Sequence, residues 1–314
     1  MATNPLLEAD YRPTFSGHET FPLRYGWLQK AYEAVAGAGS GTDAVHVFRD
    51  PSSIARFGVG RNMVGSMRYW ATGAGILKDK DTESGLETDW LGDFLFGEGG
   101  VDPYLEEDGS LWLVHWYLAS RSKLTSFYWL FNEFSGGIFT RKDVVRPLLK
   151  LSEETGWPRV ADTTVDRDMQ CLLRTYVGGR GDSEAGDSIL AELGLIRPLG
   201  QSRFSIPRGQ KPSLPDSVFL NALWEFWDQV DKERSTLSYE AVAFQGGSPG
   251  RVFGLDESAL IERLEALDQT SGGALAWSET AGLRQIVRRR ALDRDSLVEL
   301  LRDDFSKPAK RNAA

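Results

Sequence analysis

Asp50-Pro51-Ser52-Ser53-Ile54-Ala55-Arg56-Phe57-Gly58-Val59-Gly60-Arg61-Asn62-Met63-Val64-Gly65-Ser66-Met67-Arg68-Tyr69-Trp70 reads as two helices split by a glycine turn. Asp50-Pro51-Ser52 opens a short capped helix, and Gly58-Val59-Gly60 supplies the freedom a tight turn needs. Val64, Met67 and Trp70 recur at helical spacing and mark one buried stripe. Arg61, Asn62, Ser66 and Arg68 lie mainly on the other faces. Ile76-Leu77-Lys78 follows as a short strand, and the polar segment 79–88 suits a hairpin. Helix, turn, second helix and hairpin is the layout of a winged helix-turn-helix.

The same pattern recurs down the chain without a true sequence repeat. Thr163-Thr164-Val165-Asp166-Arg167-Asp168 opens a helix through Leu172, Leu173 and Tyr176, and Arg203-Phe204-Ser205-Ile206 alternates as a returning strand. A weaker third instance pairs a strand at Ala276-Trp277 with a basic helix over 280–290. The fold class expected is mainly α (α+β), a helical array with winged-helix units and short β-hairpin wings. Expected divisions are 1–100, an aromatic-rich helical segment 101–160, a second winged unit 161–210, a helical unit 211–306 and a disordered tail 307–314.

Composition sets the outer limits. With 314 residues, 41% hydrophobic and 26% charged, the chain suits a soluble protein with a substantial core. One cysteine, Cys171, excludes an intrachain disulfide framework and fits a reducing, cytoplasmic setting. No signal peptide or membrane span is expected, because no apolar run is long enough. The net charge of -9 argues against indiscriminate polyanion binding, while leaving room for local basic faces.

Phe15-Ser16-Gly17-His18-Glu19-Thr20-Phe21-Pro22-Leu23-Arg24 carries the densest chemistry. Thr20 reads as an N-cap and Pro22 as an early helical position, which would set His18 and Glu19 beside a helix N-terminus that attracts phosphate. His18 is the candidate general base or metal ligand, Glu19 its orienting or metal-binding carboxylate, and Arg24 a phosphate contact. The competing reading is that His18 and Glu19 only cap the helix expected from Phe21 and fix the loop through hydrogen bonds. His115 lies in an apolar run and reads as a core residue; His46, between two valines, reads as a strand residue. Asp166 and Asp168 most simply complement a helix dipole, and Asp102 starts a turn or helix. The candidate DNA contacts are Arg61, Asn62, Arg68, Lys78, Arg251 and Arg288, the last within a basic cluster that also suits a solvated face. The aromatic run 126–134 has the density of a core. No Walker A run and no recognised nuclease signature occurs, so no ATP hydrolysis is expected and any nuclease site is atypical.

Several blocks together resemble a known family. They are Phe-Ser-Gly-His-Glu-Thr-Phe-Pro-Leu-Arg at 15–24, Gly-Val-Gly-Arg-Asn-Met-Val at 58–64 and Leu-Arg-Thr-Tyr-Val at 173–177. Lys-Pro-Ser-Leu-Pro-Asp at 211–216 and Gly-Ser-Pro-Gly-Arg-Val-Phe at 247–253 complete the set. The chain resembles the bacterial SspB-like domain-of-unknown-function family over almost its whole length. That resemblance implies DNA nicking within a phosphorothioation system that serves antiphage defence. The partners it implies are DNA, an ATPase and an ATP-pyrophosphatase-like sulfur-transfer subunit beside a cysteine desulfurase. Such nicking usually needs a divalent ion, Mg²⁺ or Mn²⁺, and no ligand set for it stands out. Two alternatives stay open: a non-catalytic DNA-binding adaptor, and a winged-helix regulator acting as a homodimer.

Overall fold

The computed structural model describes residues 4–38, 46–80, 85–177, 188–280 and 282–307. The tail beyond Lys307 and the glycine-rich stretch 178–186 lie outside the described residues. Helices dominate, with small antiparallel sheets between them, an α+β arrangement.

The first helices form as their apolar stripes dictate. α1 (Trp27–Ala36), α2 (Ser53–Phe57) and α3 (Arg61–Gly73) precede the antiparallel pair β1 (Leu77–Asp79) and β2 (Leu86–Thr88). Gly58 closes α2 in the left-handed conformation at φ 67°. Val64, Met67, Trp70 and Ala71 are buried on α3, which packs against α1. α1 starts at Trp27 rather than near Phe21. Pro22 biases Phe21 away from the helical region, and Gly26 at φ 74° makes the turn into the helix. Thr20, at φ 67°, is therefore no N-cap. His46 is helical, its carbonyl accepting the Arg49 and Asp50 N–H groups of the turn that follows, and not in a strand.

The centre is built around α5 (Asp108–Ser120), which follows α4 (Trp90–Phe96) and is buried on every side from Gly109 onward. A helix apolar all round is a core helix. Asp102 positions its start, accepting from the Glu106 and Glu107 N–H groups at 2.9 and 3.0 Å and from the Ser110 hydroxyl at 2.6 Å. α6 (Thr125–Tyr128) runs on into a π-helical turn, Trp129–Glu133, and the aromatic run is core as its spacing implied. Glu225 joins the layers, accepting from Trp116 Nε1 at 2.8 Å, Tyr117 OH at 3.0 Å and Arg294 at 2.8 Å.

A strand, then helical segments, then a hairpin occurs twice further along the chain. After α6 come β3 (Ile138–Phe139), α7 (Lys142–Thr155), α8 (Asp162–Tyr176), a 3-10 turn and the hairpin β4 (Arg197–Gly200) and β5 (Arg203–Ser205). The sheet order is β3-β5-β4, so pairing crosses the division expected at 160. After α9 (Asp216–Asp231) come β6 (Thr236–Ser238), α10 (Tyr239–Phe244), α11 (Pro249–Val252), α12 (Glu257–Glu265) and α13 (Leu267–Thr270). The hairpin β7 (Leu275–Thr280) and β8 (Leu283–Arg288) closes a sheet of order β6-β8-β7. The expected basic helix over 280–290 is therefore a strand. Gly282 at φ 81° makes the turn, and Leu283 to Val287 alternate about the buried Ile286. α14 (Arg294–Phe305), capped by Asp293, lies beyond the helices expected from the sequence.

Candidate nucleic-acid interface

The motif loop at 17–21 is clamped between α3 and α8. His18 is buried; its Nδ1 accepts the Thr20 N–H at 2.9 Å, so the ring proton sits on Nε2, 2.9 Å from Asp168 Oδ1 on α8. The His18 carbonyl accepts the Ser66 hydroxyl of α3 at 2.9 Å. The Phe21 carbonyl accepts Trp70 Nε1 of α3 at 3.0 Å and the Cys171 thiol of α8 at 3.2 Å. Arg174 of α8 donates to the Thr20 carbonyl at 3.4 Å. Four residues of loop thus tie two helices that are about a hundred positions apart in the chain.

Both ring nitrogens of His18 are engaged within the fold and fix the loop, but no helix starts at Phe21 for His18 or Glu19 to cap. Tyr69 meets the ring edge-on at 5.5 Å, and burial, with the Asp168 charge adding, raises its phenol well above the usual range. The Cys171 thiol is likewise pushed up by burial. Gly17, at φ 112°, lets Tyr69 approach, because a Cβ there would lie 2.7 Å from the ring. Glu19 and Thr20 sit in the left-handed region at φ 47° and 67°. Such residues cost about 1–3 kcal/mol each and persist where the surroundings over-determine them. Glu19 is exposed beside Gly65 of α3. Arg24 is placed otherwise, its guanidinium 5.8 Å from the Phe21 ring and 5.6 Å from the Trp27 ring.

Arg61 and Asn62 are exposed at the start of α3, with Gly65 on the same outer side. Arg68 is half-buried, 3.9 Å from Asp79, and Lys78 pairs with Glu87 at 3.4 Å and Asp89 at 3.8 Å. On α8 the exposed residues Thr163, Arg167, Gln170 and Arg174 fall on one helical face. Sequence reasoning missed this face because it assigned Asp166 and Asp168 to the helix dipole. Asp166 instead pairs with Arg141 at 3.3 Å, while Asp168 is buried. The available signal was position: Asp168 shares the stripe of Val165, Met169 and Leu172.

The third unit differs in charge. α12 exposes Glu257, Ser258, Glu262 and Glu265, a face that repels phosphate. Arg284 pairs with Glu257 at 2.9 Å. Arg288 lies 4.5 Å from the Trp227 ring and donates to the Lys232 carbonyl at 2.6 Å. Arg251 on α11 donates to the Phe244 carbonyl at 3.2 Å and forms no ion pair among the described residues. Deep in the core, His115 Nε2–H donates to the Val252 carbonyl at 2.8 Å, so Nδ1 accepts from Tyr176 OH at 2.6 Å; burial holds its pKa down at about 3. Among the described residues no group of three or more His, Cys, Asp or Glu side chains could share a metal ion, so they do not fit an all-protein Mg²⁺ cage. Among the described residues no helix is long and apolar enough to cross a membrane.

The model of the family described as Protein of unknown function (DUF4007) matches residues 15–304. The chain belongs to this family. Two solved SspB structures are similar to it over almost its whole length, in keeping with the resemblance of its motif blocks. The "Magnesium ion-bound SspB crystal structure" is 29% identical with a TM-score of 0.83, over 98% of this chain and 93% of that one. The "SspB crystal structure" is 28% identical with a TM-score of 0.82, over the same shares. No curated protein matches the chain. The likeness to SspB thus extends over the loop, both helices and the acidic third unit of this family member.

Proposed function

We propose that this chain binds and nicks DNA as the SspB-like component of a phosphorothioation defence system. The observation that carries the reading is the clamp at His18–Phe21, which holds α3 and α8 together while their exposed Arg, Asn and Gln side chains stay outside it. Arg and Asn or Gln are the side chains that pair bidentately with guanine and adenine edges. The similarity to SspB supports the setting. A winged-helix reading of the second and third units is supported by their strand orders, in which the strand before the helices pairs with the last strand of the hairpin.

Within this reading Arg61, Asn62, Arg167 and Gln170 contact DNA. Glu19 is the candidate for the chemistry, because it alone in the strained loop presents a carboxylate to solvent. His18 and Arg24 act as positioning residues. The acidic face of α12 suits a basic protein surface, as on a partner subunit, better than it suits DNA. A second reading, a non-catalytic adaptor, is favoured by the engagement of both His18 nitrogens.

Relaxation of supercoiled plasmid tests the choice, run in Mg²⁺ and in EDTA with and without the ATPase and sulfur-transfer subunits. Nicking by the wild type that is lost in Glu19→Gln at unchanged DNA affinity supports the enzyme. DNA binding without nicking under every condition supports the adaptor.

A further inference from the structure

Arg197, Arg208, Lys211 and Arg251 are gathered from three elements at the seam between the second and third units. Arg197 stands opposite Ser205 in the β4–β5 register, on the sheet face away from the inward-packed Phe139 and Phe204. The chain leaves β5 directly into the 207–211 loop. Gly209 N–H donates to the Gly254 carbonyl at 3.1 Å, which fixes that loop against the turn following α11 and its Arg251. Lys211 Nζ donates to the Pro207 carbonyl at 2.9 Å.

None of the four cations forms an ion pair among the described residues. Two carboxylates lie near the group, Asp256 toward Lys211 and Glu133 toward Arg251, and neither forms an ion pair with it among the described residues. Asp256 accepts from Ser258 and Ala259 at 2.9 Å each, and Glu133, near Arg251, is held above the usual carboxylate range by burial. Burial and the charges of Arg197 and Arg208 push Lys211 down to about 8 against the opposing charge of Asp256, and partial desolvation with the Arg251 charge lowers Arg208. A chain with nine more acids than bases has thus assembled a local group of cations that repel one another.

We infer that Arg197, Arg208, Lys211 and Arg251 form a phosphate site for the DNA backbone that flanks the segment contacted by α3 and α8. The inference rests on the DNA reading above. A polyphosphate chain satisfies the group because its charges relieve the repulsion that Asp256 and Glu133 offset only in part. The site lengthens the footprint without adding base readout.

The test uses the full chain and its Arg197→Gln/Arg208→Gln variant, since both side chains are exposed and carry no hydrogen bond among the described residues. Affinity is measured across salt for duplexes of about one and about three helical turns, roughly 10 and 30 base pairs. On the long duplex the variant loses about 2 from the salt slope, while on the short duplex the two proteins agree. Equal slopes on the long duplex overturn the proposal. Thermal melting with sodium tripolyphosphate reads the cluster without DNA. The midpoint rises for the wild type and stays fixed for the variant; no rise in the wild type overturns the proposal whatever the duplexes do. Absent binding to either duplex, with the tripolyphosphate shift intact, removes the DNA reading and leaves an anion site.

Discussion

Replacing either member of the His18–Asp168 pair should reveal how the loop is held. Asp168→Ala leaves the His18 Nε2–H buried with no acceptor, a loss of about 1–3 kcal/mol. His18→Ala is worse, because it strands a buried carboxylate and also deletes the acceptor for the Thr20 N–H; about 3–5 kcal/mol is expected. Asp168→Asn, whose amide oxygen still accepts, should cost no more than about 1.5 kcal/mol. Urea melts of the three single variants and the Ala/Ala double variant give the whole series. The double variant should lose at least about 1 kcal/mol less than the sum of its singles, since the pair makes one shared contact. Equal losses for the three singles, with an additive double variant, would refute the claim that this contact holds the loop.

Three further outcomes follow from the core. The His115 pKa of about 3 lies below its ordinary 6.5, so the unfolded chain takes up the proton first. Its contribution is therefore constant above pH 6.5 and is lost as pH falls toward 3, by at most about 1.4 kcal/mol per unit; urea melts of His115→Gln against the wild type should lack that component. Gly75→Ala combines φ 70° with a Cβ 2.2 Å from the Tyr117 ring, itself tied to Glu225, and should cost about 2–4 kcal/mol in a denaturant melt. Cys171, buried with its thiol pushed up, should react with an aromatic disulfide reagent only after the protein unfolds.

How much the sequence disclosed depended on the range of the interactions. α3 was legible because Val64, Met67 and Trp70 mark a face within ten residues, and Gly58 ends α2 where a left-handed residue is needed. The basic run at 284–290 misled because its arginines suit a helix as readily as a strand. Ile286, the one buried residue of β8, becomes informative only once β6 and β7 flank it. Thr20 and Pro22 looked like a helix start because cap residues and turn residues are the same types. Asp168 was out of reach as a partner of His18, since the contact spans 150 positions. Its place among apolar neighbours was the only local sign.

In the proposed function α3 and α8 together contact DNA while α12 does not. The most direct measurement is duplex affinity across salt for wild type, Arg61→Ala/Arg167→Ala and Glu262→Gln/Glu265→Gln. The arginine pair should weaken binding and reduce the salt slope by up to about 2. Neutralising the α12 carboxylates should leave that slope unchanged. An unchanged affinity after loss of both arginines, or a steeper slope after loss of the α12 acids, would rule out this interface.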